Sequence, residues 1–546
     1  MSEKLINQYP RYEFKIWLFA GCAFLILAIF AFGTQVFNLM LAGDGLYDFV
    51  SPIPTQYNGT IAIGRYLSPL IWKFFGDNEL ANSFLYLYFF SSIWIFFSLL
   101  ISRTNYMSPF SVFISSSIFL FTPSLIEMSA FQIDIPVRST GIILLGIALY
   151  FCWIKDNNIS NRSYISIFNL KSISISVICL IACAACYQPI ALMFIPGFLL
   201  ISLFNQDLRL IKIGKVLLLC IISLIIYFLL WKFLLSIYDI DLIPAGNQYN
   251  IVTMGKMAKS QRLIELFKNL IEFIILPKSS MPTFISIFIT LFSALSIYIF
   301  IPSKKFPKKL ILTSIFIVLL IGLMPTLIFI YKGTFNALRP QALLGMYFPP
   351  ALLIGVGVEK AKVYDLKIGK YFYIIAFFLI GVQSFQTSSM ITYKQAAYEK
   401  DIITAQAILS DLMDIAPNPA FITVNILIEK SSSTITRGSG TTYTPERSYN
   451  SLPSNRWSGI TDCHVFDCQP QRVDALLKIV APPQVTLITK KLKADDLNIQ
   501  GIKDPFRMEE LPSWPQKNSI KVLSDNSLVL KVAGANKKLF GSVKNN

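Results

Sequence analysis

The sequence predicts a mainly α-helical polytopic membrane protein with an α+β soluble domain at its C-terminal end. Three observations support this fold class. The 546-residue chain is 54% hydrophobic and only 14% charged, and its mean hydropathy is +0.58, which is unlike a soluble globular protein. Long apolar runs recur through residue 390, whereas charges of both signs, Pro pairs and Ser/Thr clusters become frequent after about residue 391. This composition excludes a disordered chain, a secreted disulfide scaffold and a soluble enzyme.

About eleven apolar runs are expected to cross the membrane, the shorter ones with tilt or local thinning of the bilayer. The first run is too long for a signal-peptide core and lacks a small-residue cleavage site, so it is expected to remain as a span. The expected spans are residues 14–36, 83–102, 107–122, 139–154, 173–188, 189–204, 216–236, 282–302, 310–331, 341–358 and 371–390. An odd number of spans places the two ends of the chain on opposite sides.

Basic residues orient these spans. Alternate loops carry Lys and Arg, near residues 103, 155–171, 209–215, 304–309 and 360–370, which places these loops and the N-terminus inside. The net charge of +17 is therefore attributed to inside loops, and no nucleic acid is expected as a partner. The predicted organisation is a membrane domain over residues 1–390 and a soluble domain outside over residues 391–546.

The soluble domain is expected to combine a helix near residues 395–415 with short strands and a second helix. β-type runs at residues 421–424 and 484–488 predict strands, and residues 473–480 predict the helix. Trp457 and Trp514 are candidate platforms for stacking on a sugar ring. Burial in the domain core is the alternative for both.

The cysteines fall into two groups. Six lie in apolar runs and are expected in the membrane core: Cys22, Cys152, Cys179, Cys183, Cys186 and Cys220. Cys463 and Cys468 lie in the polar region, where an outward location favours a disulfide between them. Zinc binding by this pair with His464 is the alternative, but two Cys and one His without a fourth local ligand make a poor site. No metal and no cofactor are expected.

The first outer loop carries two acids, Asp44 and Asp48, at a spacing that puts both carboxylates on one face of a helix. These acids are candidate catalytic residues, and solvated loop acids near headgroups are the alternative. The second half of the loop, residues 61–75, is apolar with inserted cations, including Arg65. This pattern suits a helix lying in the membrane interface.

Two further outer loops supply candidate polar groups. Glu127, Asp134 and Arg138 lie near an apolar boundary, where an unpaired charge is costly. An ion pair between Asp134 and Arg138 is an equally good interpretation. Tyr187 and Gln188 stand in a tight turn between two spans, which presents a phenol and an amide at the outer surface.

Cations recur on the outer side later in the chain, against the positive-inside pattern, at Lys256, Lys259, Arg262 and Arg339. They indicate an anionic partner, either lipid headgroups or a phosphate-bearing lipid substrate. Carboxylates together with such cations suit transfer of a group from a lipid phosphate to a hydroxyl, because a carboxylate accepts the proton and cations stabilise the departing phosphate. Walker A, G-x-G-x-x-G and H-E-x-x-H motifs are absent from the sequence.

This layout resembles the membrane glycosyltransferases of the C-type fold. The order Asp44, Asp48, Gly64-Arg65, then Phe131-Gln132-Ile133-Asp134 and Ala185-Cys186-Tyr187-Gln188-Pro189, is similar to the bacterial serotype-converting O-antigen glucosyltransferases. The resemblance covers about the first 390 residues.

The resemblance implies transfer of a glucosyl or related hexosyl group from undecaprenyl phosphate to O-antigen or lipopolysaccharide, on the periplasmic face of the bacterial inner membrane. It implies that an acid of the first loop acts as base. Asp44 is favoured because its flanking glycines allow close approach of a substrate, and Asp48 is next. The candidate substrate-binding residues are Arg65, Asp134, Arg138, Tyr187, Gln188, Lys256, Lys259, Arg262 and Arg339.

Two rival functions fit a polytopic protein with outer charges. A flippase or transporter for a lipid-linked sugar is disfavoured because the spans hold few charges and the two halves of the chain show no repeat. An O-antigen polymerase or ligase differs in its donor, an oligosaccharide diphosphate.

Overall fold

The computed structural model is mostly helical. It describes residues 14–38, 53–76, 82–104, 106–130, 132–153, 170–205, 210–240, 283–300, 344–428, 470–491, 519–523 and 526–532. The helices are α1 (Phe14–Phe37), α2 (Ile53–Ala62), α3 (Ser68–Phe74), α4 (Asn82–Ile101), α5 (Pro109–Leu120), α6 (Pro123–Ala130), α7 (Ile135–Cys152), α8 (Leu170–Cys186), α9 (Gln188–Ala191), α10 (Phe194–Phe204), α11 (Leu210–Ile237), α12 (Thr283–Phe300), α13 (Leu344–Tyr364), α14 (Leu366–Ile415) and α15 (Pro470–Val480).

Among the described residues, five helices have the length and apolar composition of a membrane span. They are α1, α4 from Ser83, α7, α11 from Ile211 and the first part of α14, Leu366–Ser389. These helices indicate a multi-pass membrane protein. Each expected span overlaps a described helix except residues 310–331, which lie outside the described ranges. The total of eleven spans stays a prediction.

Phenylalanine and small residues build the core of the helical bundle. The Phe rings of α1, α4, α5 and α13 contact one another, as in the stacked pair Phe32 and Phe121 and the edge-to-face pair Phe97 and Phe119. Helices α5 and α13 approach closely at Gly355, where an added Cβ would lie 2.0 Å from Ser115 Oγ. Small residues allow this approach because lipid supplies no hydrophobic force between helices.

Strands β1 (Phe421–Ile428), β2 (Thr486–Lys491), β3 (Ile520–Val522) and β4 (Leu528–Val532) form one sheet, named here the C-terminal sheet. The strand order is β2-β1-β4-β3. Strand β1 is parallel to β2 and β4, and β3 is antiparallel to β4. The two predicted strands and the helix predicted over residues 473–480 are confirmed by β1, β2 and α15.

The C-terminal sheet has its own hydrophobic core, separate from that of the bundle. Helix α15 and the last turns of α14, with Ile408 and Leu412, pack with β1 residues Ile422 and Val424. Helix α14 runs unbroken from Leu366 to Ile415. The expected boundary at residue 391 therefore falls inside a continuous helix that contributes to both cores.

Candidate active site

A tight turn at Gly64 separates α2 from α3. The apolar stretch over residues 61–75 therefore contains the end of α2, the turn and α3, and it is not the one interfacial helix that its composition favours. Gly64 has φ +87°, a left-handed conformation that L-residues with a Cβ rarely adopt. The Gly64 amide donates to Ile61 O (3.0 Å), and the Arg65 amide donates to Thr60 O (2.8 Å). The turn therefore fixes where Arg65 leaves the backbone.

Side chains of α9 and α11 hold this turn by hydrogen bonds to its backbone carbonyls. Tyr227 Oη donates to Gly64 O (2.9 Å), and Gln188 Nε2 donates both to Ile63 O (2.9 Å) and to Tyr227 Oη (3.0 Å). Trp231 Nε1 donates to Ile61 O (2.7 Å). Gln188 was identified from the sequence, whereas Tyr227 and Trp231 were missed, although polar-edged aromatic residues near the end of a span are typical of such contacts.

Two guanidinium groups flank the ring of Tyr187. The Arg65 Cζ atom lies 4.6 Å from the ring centroid, and the Arg138 Cζ atom lies 5.2 Å from it. Tyr187 is the single extended residue between α8 and α9, so the predicted tight turn is confirmed. Three residues named from the sequence, on three separate segments, thus meet at one aromatic ring. Contacts of this geometry stabilise a cation.

Arg138 is almost fully buried and has a carboxylate partner. Its side chain is 3% exposed, and Nη2 lies 2.6 Å from Asp134 Oδ2 one turn earlier. Nη1 donates to Met128 O (2.8 Å). The ion pair that the sequence offered as an alternative is therefore present, and it compensates the charge of Arg138.

Arg65, in contrast, has no carboxylate and no side-chain hydrogen bond among the described residues, and its Nε is buried without a partner. Two cations against one acid leave the cluster of Arg65, Arg138 and Asp134 with one uncompensated positive charge. Tyr66 beside it stacks on Tyr227 with ring centroids 5.7 Å apart. Burial raises the pKa of the Tyr66 hydroxyl, and the nearby Tyr227 raises it further, so Tyr66 is neutral. The cluster thus suits an anion.

The other predicted site residues lie outside the described residues: Asp44, Asp48, Lys256, Lys259, Arg262, Arg339, Cys463, Cys468, Trp457 and Trp514. Glu127 lies on α6. Within the described ranges, no group of three or more His, Cys, Asp or Glu side chains is placed to hold a metal ion. The six cysteines of the apolar runs are free.

Comparison with known proteins identifies a family. No curated protein and no solved structure matches the chain. The model of the family "Glucosyl transferase GtrII" matches residues 44–350, which is more than half of the chain. Every predicted catalytic and substrate-binding residue lies inside the match, whereas the C-terminal sheet lies beyond it. The resemblance to serotype-converting O-antigen glucosyltransferases is thereby confirmed, and the chain belongs to the Glucosyl transferase GtrII family.

Proposed function

We propose that this glycosyltransferase moves a glucosyl or related hexosyl group from undecaprenyl phosphate to a hydroxyl of O-antigen or lipopolysaccharide. The reaction takes place on the periplasmic face of the bacterial inner membrane. The protein has a C-type fold with eleven spans, an N-terminus in the cytoplasm and a periplasmic soluble domain over residues 391–546. Membership of a glucosyltransferase family supports the reaction class, and the outer cations support the lipid-phosphate donor.

Arg65, which has no carboxylate partner among the described residues, carries the proposal. A partly buried cation without a counter-ion is costly, and a phosphate placed beside it makes charge-assisted hydrogen bonds. A sugar-linked polyprenyl phosphate has one negative charge, which equals the excess positive charge of the cluster. Arg138 already has Asp134 as its partner, so Arg65 is the phosphate ligand and Arg138 is held next to it.

The chemistry needs one base and one anion-stabilising group. Asp44, or Asp48 in its place, accepts the proton of the acceptor hydroxyl while the hydroxyl oxygen forms its bond to the anomeric carbon. The bond between that carbon and the phosphate oxygen breaks, and its electron pair stays on the phosphate beside Arg65. The configuration at the anomeric carbon is inverted. Because the leaving group becomes more negative in the transition state, Arg65 stabilises the transition state more than the bound donor.

The C-terminal sheet is proposed to shape the site for the acceptor. Helix α14 passes without a break from the bundle into the core of the sheet and connects the two. Trp457 and Trp514 would then stack on acceptor sugars. Truncation after Ile415 removes the sheet, and unchanged acceptor selectivity in the truncated protein would refute this role.

The experiment is transfer of radiolabelled glucose from undecaprenyl phosphate to O-antigen oligosaccharide in proteoliposomes. We expect Arg65→Gln to lower kcat/KM for the donor about ten- to a hundredfold, the effect of losing hydrogen bonds to a charged group. Lys73→Gln is the matched control, because it removes the same charge from an exposed position in the same outer segment. Asp44→Asn tests the base, with Asp48→Asn beside it.

Each outcome separates the candidate functions. Equal loss in Arg65→Gln and Lys73→Gln contradicts a specific role for Arg65. Full activity in both aspartate variants excludes them as base. If the native protein transfers no glucose but labelled lipid changes leaflet, a flippase replaces the transferase. Activity only with oligosaccharide diphosphates would indicate a polymerase or ligase.

A further inference from the structure

Two glutamine side chains are buried with unused hydrogen-bonding atoms close to the Arg138 ion pair. Gln35, near the end of α1, is 0% exposed, and Gln132, in the 3₁₀ turn before α7, is 5% exposed. Among the described residues, Gln35 Nε2 has no hydrogen-bond partner, and the Gln132 amide has none of good geometry apart from an interaction with the Tyr86 hydroxyl. We propose that these two amides form a subsite that binds hydroxyl groups of a sugar ring. The inference deepens the proposed function and depends on it.

Fixed contacts hold the two amides in one polar group, named here the amide cluster: Gln35, Tyr86, Ser129 and Gln132. Ser129 Oγ donates to Gln35 Oε1 (3.2 Å), and Tyr86 Oη donates to Ser129 O (2.7 Å). The Gln132 side chain interacts with the Tyr86 hydroxyl. Helices α1, α4 and α6 and the 3₁₀ turn thus each contribute one member, so the cluster is a product of the tertiary structure.

The amide cluster adjoins the cluster of Arg65, Arg138 and Asp134 through one short segment. Arg138 Nη1 donates to the carbonyl of Met128, and the next residue, Ser129, belongs to the amide cluster. Consecutive Cα atoms are about 3.8 Å apart. Asp134, the partner of Arg138, follows Gln132 by two residues. We therefore place the sugar beside Arg138, between the amide cluster and a phosphate at Arg65.

The chemistry of the cluster fits a neutral polyhydroxylated ligand. A carboxamide offers two N–H donors and an acceptor oxygen, and a hydroxyl both donates and accepts. The cluster holds no ionised group, so it does not favour an anion or a cation. Burying an amide without a partner is costly, and two such amides in one polar group indicate groups that are satisfied when the ligand is bound.

The chain offers a matched control in Gln383 of α14. This glutamine is 2% exposed, and neither of its amide atoms has a partner among the described residues. The hydroxyl of Thr392 in the same helix is 3.5 Å from that of Thr34, which directly precedes Gln35 in α1. Gln383 lies nine residues before Thr392, and nine helical residues span about 14 Å. Gln383 is therefore well separated from Gln35 along the bundle.

The test compares Gln132→Met and Gln35→Met with Gln383→Met, using glucose transfer in proteoliposomes and thermal unfolding. We expect all three to fold, because methionine has a similar size and needs no hydrogen bond. The two cluster variants should lose about ten- to a hundredfold in kcat/KM, and Gln383→Met should keep native rates. A rise in KM for the lipid donor assigns the subsite to the transferred sugar, and a rise in KM for the oligosaccharide assigns it to the acceptor.

A deoxy-sugar series supplies the second measurement. Removing the bound hydroxyl from the substrate should slow the native protein, yet have little further effect in Gln132→Met, because the same hydrogen bond is lost in both cases. If Gln132→Met does not fold, Gln132→Leu also removes the amide without adding a charge, and it enters the same comparison. Native kinetics in the cluster variants, or losses that simply add to those of the deoxy substrates, would overturn the inference. If the native protein transfers no sugar, the proposed function itself fails.

Discussion

Replacing Gly64 with alanine should break the turn that positions Arg65. An added Cβ would lie 2.3 Å from Tyr227 Oη and 3.0 Å from Gln188 Nε2. The tyrosine hydroxyl has little room to move, because the ring is 3% exposed and lies against Tyr66 (5.7 Å) and Trp231 (6.2 Å). The substitution must therefore displace either the turn or the aromatic residues that hold it.

The expected cost follows from two contributions. An L-residue in the left-handed region costs about 1–2 kcal/mol, and the two hydrogen bonds made through Tyr227 Oη contribute about 1 kcal/mol each. The free energy of unfolding should therefore fall by about 3–4 kcal/mol. Gly59→Ala is the matched control: Gly59 lies in α2 with nothing within 4 Å of an added Cβ, so alanine should stabilise the protein by about 0.5–1 kcal/mol.

The assay is thermal unfolding in detergent, with glucose transfer measured on the same samples. Tyr227→Phe removes the atom that the new Cβ meets, so Gly64→Ala should cost clearly less in the Tyr227→Phe background than in the native chain. Two results would refute the reasoning. One is a Gly64→Ala protein as stable as Gly59→Ala, and the other is an unchanged cost when Tyr227 is phenylalanine.

Three further predictions concern buried polar groups. Asp134→Asn removes the carboxylate beside Arg138 and should lower the free energy of unfolding by about 2–3 kcal/mol. The expected loss is smaller than for a fully buried pair because Asp134 is partly exposed. An unchanged melting temperature in detergent would contradict this. Burial lowers the pKa of Lys360 to about 8, so the unfolded chain binds this proton more tightly and stability should rise between about pH 8 and 10.5. Lys360→Met should abolish that part of the rise, and identical pH profiles of unfolding would show that Lys360 is not its source. Asn425 Nδ2 donates to Ser527 Oγ (3.0 Å) across the C-terminal sheet, so Asn425→Ala should destabilise the sheet by about 2 kcal/mol, measured as faster amide exchange in β1 and β4.

Regular elements were predictable where the local pattern decides the structure. Apolar runs became helices because a backbone in lipid must satisfy its own hydrogen bonds, and β-branched runs after residue 420 became β1 and β2. The single interfacial helix over residues 61–75 was wrong in part, because the turn at Gly64 depends on Tyr227 and Trp231 more than 160 residues away. A local pattern carries no information about such partners.

The sequence by itself determined the membrane class, the helical spans that overlap the described helices, and the family. It also named Arg65, Arg138 and Tyr187, because charges and polar aromatic residues beside an apolar boundary are costly and therefore informative. Only the tertiary structure decided that both arginines meet one ring and that Gln35 approaches Ser129. These contacts join residues far apart in the chain, and their geometry is set by how the helices pack, which the periodicity of any one segment does not specify.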